Sequence, residues 1–247
     1  MHRFYVKEEQ IKENRIYITG SDVNHIINVL RMSVGEGVVV CNGTGRDYFC
    51  LIHEIRKDEV LLYIQNEEAS ETELPSKIYL FQGIPKSDKM EMIIQKAVEL
   101  GVYEIIPVKT NRCVVKFSEE NRVKKKIDRW NTIAESAAKQ SGRGIIPNVK
   151  SPISLKEALT IEREISYNII PYELAEGMEQ AREKMKEAAD ASAIGIFIGP
   201  EGGFEEEEIG LAIECGCHPI TLGKRILRTE TAGIAVLSIL MFQMEQK

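Results

Sequence analysis

The sequence has no apolar run long enough to cross a membrane, which takes about 20 consecutive apolar residues. Its first residues, Met1 to Val6, contain no apolar signal core, so we expect a cytoplasmic protein. Hydrophobic residues occupy 43% and charged residues 28% of the 247 positions, as in an ordinary globular protein. The length leaves room for one large domain or two modest ones.

Cysteines at metal-ligand spacing are also missing. The five cysteines are scattered, and only Cys215 and Cys217 lie close together, next to His218. A structural zinc site needs a second ligand pair at a characteristic spacing, and the sequence offers none. We therefore expect no bound metal and interpret the cysteines as buried thiols.

Two more absences concern nucleotides and nucleic acids. The Walker pattern is absent, and the run Gly43–Gly45 lacks the third glycine of a dinucleotide fingerprint, since Tyr48 stands there. The net charge of −6 argues against a generally basic nucleic-acid-binding protein. Residues 86–150 nevertheless contain 14 Lys and Arg against 8 Asp and Glu. This segment could meet phosphates, although a solvated face explains it equally well.

The pattern along the chain predicts two domains. Residues 1–72 contain short β-prone runs separated by turn residues, which is typical of a small β-barrel. Residues 66–76 are polar and acidic and are the best candidate for a linker. Over residues 73–247, apolar strands alternate with amphipathic helices. This alternation indicates an α/β domain with a mostly parallel sheet.

Several elements of the second domain can be predicted in detail. We expect Ser87 to cap a helix that ends at Gly101, and residues 220–222 to form a strand. The last helix, roughly residues 230–243, has almost no polar face and must be buried on all sides. It is too short for a membrane. We therefore place it inside the domain, in a subunit interface, or in both, and predict a homodimer.

The clearest motif is a pair of glycine-bearing turns, residues 199–203 and 222–232, each after a β-prone run. Such a turn before a helix often binds phosphate. Here Glu201 lies in the first turn, and residues 205–208 are all glutamate. These carboxylates complement the helix dipole and would repel a phosphate. The motif therefore favours a neutral or cationic ligand.

S-adenosylmethionine has the required properties, because it carries a sulfonium and an adenine but no phosphate. Glycines would allow backbone groups to approach the adenine edge. The apolar side chains of Leu222, Ile226 and Leu227 could enclose the flat ring. One glycine alone could merely permit a tight turn, but the two turns together predict a binding site.

These residues, in this order and spacing, resemble those of a known family. The matching positions are Arg3 and Phe4, His25, Val29–Met32, Lys86, Met90, Lys96, Glu99–Val102, Thr110, Arg112, Glu135, Gln140, Ser141, Arg143, Gly199–Gly203, Leu222, Gly223 and Ile226–Ala232. The C-terminal two-thirds is similar to the knotted SPOUT class of S-adenosylmethionine-dependent RNA methyltransferases. The specific resemblance is to the bacterial family that methylates N3 of a uridine in 16S (small-subunit) ribosomal RNA.

The resemblance implies a PUA-like RNA-binding β-barrel over residues 1–72 and a SPOUT trefoil-knot methyltransferase domain over residues 73–247. It implies a homodimer with its cofactor pocket beside the subunit interface, and ribosomal RNA of the small ribosomal subunit as the partner. It also implies three loops that bind S-adenosyl-L-methionine. Their residues are Ile170, Pro171, Tyr172, Gly199, Pro200, Glu201, Gly202, Gly203, Leu222, Gly223, Ile226, Leu227, Thr231 and Ala232.

Methyl transfer to uridine N3 requires loss of the N3 proton, and a nearby cation favours the resulting anion. We predict that Arg228 orients the uracil or stabilises this charge, with a structural ion pair to Glu230 or Glu201 as the alternative. Glu230 is the second catalytic candidate, or only a helix N-terminal residue. The expected RNA-binding residues are Arg31, Lys86, Arg112, Glu135, Gln140 and Arg143.

Three alternatives remain open at this point. The chain could be an RNA-binding module whose glycine turns are purely structural. It could be a knotted methyltransferase that acts on another RNA, such as transfer RNA. It could also be a phosphate-binding nucleotide enzyme, which the glutamates disfavour.

Overall fold

A computed structural model describes residues 1–113, 120–161, 165–175 and 177–245. The chain divides into two compact units, Met1–Glu73 with Ala138–Ile146, and Leu74–Ala137 with Pro147–Lys247. Within the described ranges, no helix is long and apolar enough to cross a membrane. The same ranges contain no group of three or more His, Cys, Asp or Glu side chains that could hold a metal ion.

The first unit is built on a curled sheet. Its strands are β1 (His2–Tyr5), β2 (Ile11–Lys12), β3 (Arg15–Thr19), β4 (Gly37–Cys41), β5 (Arg46–Ile55) and β6 (Glu59–Ala69). They pair in the order β1-β4-β5-β6-β3-β2, and only the β1–β4 pair is parallel. Alternate residues face inward, so that Ile16, Val38 and Leu62 are fully buried. A short helix α1 (Ser21–Asn24) and a wider helical turn over residues 25–29 follow β3.

The prediction that residues 66–76 form a linker is wrong for the first four of them. These residues extend β6, which stays paired with β5 as far as Ala69 opposite Arg46. The acidic character of the run is partly offset there, because Glu67 forms an ion pair with Arg46. Cross-strand pairing therefore outweighs the polar composition that suggested a linker.

The segment Ala138–Ile146 packs within the first unit through its backbone. Gly45 N donates to Gly144 O at 2.9 Å, and Thr72 Oγ1 donates to Gly142 O at 3.1 Å. The Tyr5 hydroxyl donates to the carbonyl of Arg143. The pKa of the Tyr5 hydroxyl is raised to about 12, mainly by burial, so this group remains a donor at neutral pH.

The second unit is built on a parallel sheet covered by helices. Its strands are β7 (Lys77–Gly83), β8 (Glu104–Lys109), β9 (Asn148–Val149), β10 (Ile153–Ser154), β11 (Tyr167–Pro171), β12 (Ala193–Ile198) and β13 (Cys217–Ile220). The order is β10-β8-β7-β12-β11-β13, with β9 paired to β8. Every residue of the central strand β12 is buried, and the Phe81 and Phe197 rings stack with centroids 4.3 Å apart. A continuous apolar strand of this kind is typical of a parallel sheet covered on both faces.

Six helices complete the described part of this unit, although the last residues of α3 belong to the first unit. They are α2 (Lys89–Glu99), α3 (Glu120–Ser141), α4 (Leu155–Thr160), α5 (Met178–Asp190), α6 (Glu206–Glu214) and α7 (Thr229–Met244). Helix α2 begins one residue later than predicted, because Ser87 has a left-handed backbone (φ 55°) and Asp88 is the cap residue. The predicted helix end at Gly101 is confirmed by a positive φ of 90°.

Two other predictions for this unit need correction. Strand β13 ends at Ile220, and residues 221–222 belong to a loop, since its partner β11 ends at Pro171. Helix α7 is buried on one side only in the single chain. Val236 and Leu240 are fully covered, whereas Ile239 is 42% and Phe242 63% exposed. The apolar outer side of α7 therefore has no cover within the described residues.

Candidate cofactor pocket

Three loops meet at one edge of the second unit. Strands β12, β11 and β13 are adjacent and parallel, so their carboxyl ends lie together. The backbone nitrogen of Tyr172 donates to Ile220 O at 3.0 Å and joins two of the loops. Two adjoining cavities of about 180 and 220 Å³ lie between the loops and share Pro171 and Tyr172 as a common wall. Together they reach the size range of small-ligand pockets.

Most of the predicted cofactor residues line these cavities. The lining residues that the sequence predicted are Pro171, Tyr172, Gly199, Pro200, Glu201, Gly202, Gly203, Leu222, Gly223, Ile226, Leu227 and Ala232. The remaining two do not line either cavity. Ile170 is fully buried in the sheet core, and Thr231 is exposed on the first turn of α7.

The loop over residues 199–203 is tight and lies close to the end of β7. Gly203 has a φ of 68° and donates its N–H to Pro200 O at 2.9 Å, which closes the turn. A Cβ atom on Gly83 would lie only 2.6 Å from Pro200 N. Any side chain at position 83 would therefore push the loop away from the strand and change the cavity wall.

A buried polar chain connects this loop to the start of α7. Gln82 is fully buried, and its Nε2 donates to Thr229 Oγ1 at 2.9 Å. The Thr229 hydroxyl in turn donates to Gly199 O at 2.6 Å. One strand, one loop and one helix terminus are thus held by hydrogen bonds inside the core, where such bonds are strongest. No local pattern in the sequence marks Gln82 or Thr229, because only the tertiary fold brings them together.

The acidic run at residues 205–208 forms the N-cap and first turn of α6, as predicted from the helix dipole, but it does not line the cavities. Glu208 is buried and accepts from the backbone nitrogens of Asn111, at 2.9 Å, and of Glu205, at 2.9 Å. Glu205 accepts from Asn111 Nδ2 at 2.8 Å. These carboxylates close the N-terminus of α6 with a capping box. The negative charge of these side chains therefore disfavours a phosphate at this helix terminus.

Glu201 lines one cavity and also belongs to a cluster of charges. Its carboxylate accepts from Lys89 Nζ at 3.0 Å and from Lys86 N at 3.1 Å. Lys89 Nζ also lies 3.7 Å from Glu230 Oε2. Burial alone would raise the pKa of Glu201, but the hydrogen bonds from Lys89 and Lys86 outweigh it and lower that pKa. Lys89 was not predicted, since only the fold places it between the two carboxylates.

Arg228 is the cap residue of α7, and its side chain is exposed. Within the part of the chain that is described, it forms no ion pair with Glu230, Glu201 or any other residue. The hydrogen bond to Glu201 is the main cause of the raised pKa of Lys89. The positive charge of Arg228 acts in the opposite direction and lowers that pKa. An ion pair with Glu201 or Glu230 was the predicted alternative role of Arg228. Lys89 forms these ion pairs instead.

Other cavity residues were missed by the sequence analysis. They are Glu173, Ile198, Phe204, Thr221, Lys224, Arg225 and Thr229. Glu173 lines both cavities, directly after the predicted run that ends at Tyr172. No local pattern marks this glutamate, because its role depends on which side of the loop faces the cavity.

The predicted RNA-binding residues are divided between the two units. Arg31, Gln140 and Arg143 belong to the first unit, and Lys86, Arg112 and Glu135 belong to the second. All except Arg143 have exposed side chains. Arg112 Nη1 donates to Gly202 O at 2.7 Å and so lies against the glycine loop.

Arg143 has a structural role in the first unit. Its residue is 3% exposed, and its guanidinium forms an ion pair with Glu73. Glu73 also accepts from the backbone nitrogens of Gly144, at 2.9 Å, and Ile145, at 3.0 Å. A phosphate contact by Arg143 would first require this buried pair to open, which is costly.

Comparisons with known proteins agree with this architecture. The family model described as RNA methyltransferase PUA domain matches residues 18–65, and the model described as RNA methyltransferase domain matches residues 72–241. The ribosomal RNA small subunit methyltransferase E of Bacillus subtilis (strain 168) is 36% identical, over 99% of this chain and 98% of that protein. The protein of the same name from Mesomycoplasma hyopneumoniae (strain 232) is 34% identical, over 96% and 98% of the two chains.

Solved structures give the same result. The ribosomal RNA small subunit methyltransferase E from Neisseria gonorrhoeae, bound to S-adenosyl methionine, has a TM-score of 0.77 and 35% identity. That similarity covers 96% of this chain and 95% of the other. A methyltransferase from Legionella pneumophila, in complex with the bound cofactor SAM, has a TM-score of 0.77 and 34% identity, over 96% of each chain.

The fold and the pocket define a SPOUT RNA methyltransferase with a PUA-like β unit. More narrowly, the chain belongs to the ribosomal RNA small subunit methyltransferase E family. The fold class and the family predicted from the sequence are confirmed. The trefoil knot, the homodimer and the roles of individual residues stay predictions.

Proposed function

We propose that this chain is an S-adenosylmethionine-dependent methyltransferase that methylates N3 of a uridine in 16S (small-subunit) ribosomal RNA. One observation carries the proposal. Three loops that the sequence marked for cofactor binding enclose a common cavity at the carboxyl ends of adjacent parallel strands. In open α/β sheets, this edge is where ligands bind.

The residues around the cavity fit S-adenosylmethionine better than a nucleotide phosphate. The N-terminus of α6 carries a capping box and three glutamates in its first turn, and this negative charge disfavours a phosphate there. Leu222 and Leu227 supply apolar surface for a flat ring, while Glu173 and Glu201 supply negative charge. When bound, this cofactor supplies a methyl group carried on a positively charged sulfur.

Arg228 and Glu230 are the residues that we assign to catalysis. Loss of the N3 proton leaves negative charge on the uracil, and the exposed Arg228 guanidinium stabilises that charge. Lys89 Nζ lies 3.7 Å from Glu230 Oε2 and partly neutralises that carboxylate, while Arg228 forms no ion pair within the described residues. Arg228 thereby keeps its positive charge available to the substrate. Stabilisation of this kind is worth most where water is excluded.

The RNA is held by residues of both units. We assign RNA binding to the PUA-like unit, residues 1–72, and methyl transfer to the SPOUT domain, residues 73–247. The backbone nitrogen of Lys86 and the guanidinium of Arg112 donate to residues of the glycine loop, and both side chains are exposed, so we assign them to phosphate contacts. Arg31, Glu135 and Gln140 are exposed and complete the proposed set, together with Arg143 if its pair with Glu73 opens.

The active form is a cytoplasmic homodimer, and the second domain contains a trefoil knot. Support for the dimer comes from the uncovered outer side of α7. Ile239 and Phe242 line an apolar groove between α5 and α7, and Ile226 beside the cofactor cavity is 87% exposed. A second copy of the chain would cover these side chains, since large exposed apolar patches mark interfaces.

Methylation of purified RNA substrates tests the proposed function. The purified chain is incubated with S-adenosylmethionine and small ribosomal subunits from cells that lack its gene, and nucleosides are analysed by mass spectrometry. We expect 3-methyluridine to appear in the ribosomal RNA and not in deproteinised transfer RNA. Methylation of transfer RNA alone would redirect the proposal to another RNA. No methylation of either, together with RNA binding, would favour a binding module.

A further inference from the structure

Glu173 is a carboxylate of the cavity wall that has no partner among the described residues. It lines both adjoining cavities and lies on the loop that follows β11. Its Oε2 lies 3.6 Å from the position that a Cβ atom on Gly203 would take. Among the described residues it makes no hydrogen bond and no ion pair, and its side chain is exposed.

The other carboxylates near the cavity are already neutralised or turned away. Glu201 accepts from Lys89 Nζ at 3.0 Å and from the backbone of Lys86. Glu205 and Glu208 hold the N-terminus of α6 and the backbone of Asn111, and neither lines a cavity. Glu173 is therefore the negative charge on the described wall that remains for a ligand.

Glu173 lies close to the loop beside which the RNA is expected to bind. Its carboxylate lies beside the loop that contains Gly203, and that loop contacts Lys89 through Glu201 and Arg112 through Gly202. Those cations form the side from which a polyanionic RNA would approach. The methyl group must face the RNA, so Glu173, which lines both cavities beside this loop, is placed to meet the sulfur that carries it.

We propose that Glu173 recognises the positive sulfur of the methyl donor and discriminates it from the neutral thioether product. This inference rests on the proposed function and adds a specificity residue to it. Donor and product share the adenine, the ribose and the amino-acid group, so the charge on sulfur is what a carboxylate can distinguish. The loss of that charge after methyl transfer weakens binding of the product and favours its exchange for a new donor.

Lys224 and Arg225 are the opposing charges on the wall. Both line the cavity on the loop after β13, and neither forms an ion pair with Glu173 within the described residues. They are exposed, so water and salt screen them. Glu173 is partly screened in the same way, and its contribution is therefore a modest factor instead of an absolute requirement.

Calorimetry with donor and product tests the proposal. We expect Glu173→Gln to bind S-adenosylmethionine about fivefold more weakly, as for a partly exposed ion pair. Its affinity for S-adenosylhomocysteine should stay within about twofold of the wild-type value. Glu207→Gln is the matched control, because it makes the same charge change outside the cavity and should alter neither affinity.

Two other results would contradict the role of Glu173, and a third would contradict the proposed function. An equal loss of affinity for both compounds, or no loss for either, would overturn the role assigned to Glu173. If the wild-type chain binds neither compound, the proposed function itself fails, which distinguishes the two failures. An unfolding midpoint equal to that of the wild type establishes that Glu173→Gln is folded.

Discussion

The hydroxyl of Thr229 provides a sharp test of how the cavity wall is held. Thr229→Val keeps the volume and the β-branched shape but removes the hydroxyl that accepts from Gln82 Nε2 and donates to Gly199 O. The site is buried, with Thr229 5% and Gln82 0% exposed. Water cannot replace the lost partner of Gly199 O without opening the core.

The expected cost follows from these contacts. Loss of the two hydrogen bonds of Thr229, in a buried site, destabilises the fold by about 2 kcal/mol. With a urea m-value of about 2–3 kcal/mol/M, the midpoint should fall by about 0.7–1 M. Affinity for S-adenosylmethionine should fall as well, because the loop carrying Gly199 loses its tie to α7.

Urea denaturation followed by circular dichroism measures this effect. Thr132→Val is the control, since Thr132 makes a comparable helix hydrogen bond, to Asp128 O, at an exposed position and should cost less than about 0.5 kcal/mol. Removing both partners together, in Gln82→Leu with Thr229→Val, should cost less than the sum of the single changes. A midpoint unchanged in Thr229→Val, or strict additivity, would refute the reasoning.

Three further predictions concern catalysis, charge and assembly. Arg228→Ala should lower the methylation rate by about 100-fold with an unchanged unfolding midpoint, and wild-type turnover would remove Arg228 from the mechanism. Lys89→Met should weaken S-adenosylmethionine binding several-fold in calorimetry, because it removes the ion pair with Glu201, and Lys89→Arg should restore it. Equal affinities of the two variants would contradict a role for this ion pair. Phe242→Ser should convert a dimer into a monomer by light scattering, whereas Ile213→Ser on α6 should not. A wild-type chain that is monomeric at micromolar concentration would contradict the homodimer.

The parts of the fold that local patterns determine could be predicted from the sequence. The predicted alternation of strands and helices over residues 73–247 is found in the second unit, and the apolar residues of α2, such as Ile94 and Ala97, are buried. The glycine loops were found because glycine, strand end and helix start follow one another along the chain. In these places, periodicity and turn chemistry act over a few residues, and tertiary contacts support the same outcome.

The parts that failed depend on contacts between distant residues. The sequence placed the glutamates at 205–208 beside the ligand, but Glu208 instead accepts from Asn111, 97 residues earlier. Arg143, expected at the RNA, pairs with Glu73, 70 residues away. The direction of a charged side chain is decided by which element packs beside it, and a single sequence does not contain that information.

The assignment of individual site residues shows the same division. The loops around the cavity were predicted, but Glu173, Lys89 and Gln82 were not. Lys89 and Gln82 act through partners from other elements, two carboxylates and a helix terminus, and Glu173 lies beside a glycine of another loop. A position in the sequence can suggest a loop, whereas a charge cluster or a buried hydrogen-bond chain requires the fold.

A crystal structure grown with S-adenosylmethionine tests the central claim most directly. We predict electron density for the donor between residues 199–203 and 221–227, with its sulfur at the end of the cavity nearest Glu173. A donor bound at a different edge of the sheet, or an empty cavity at saturating donor concentration, would contradict the account.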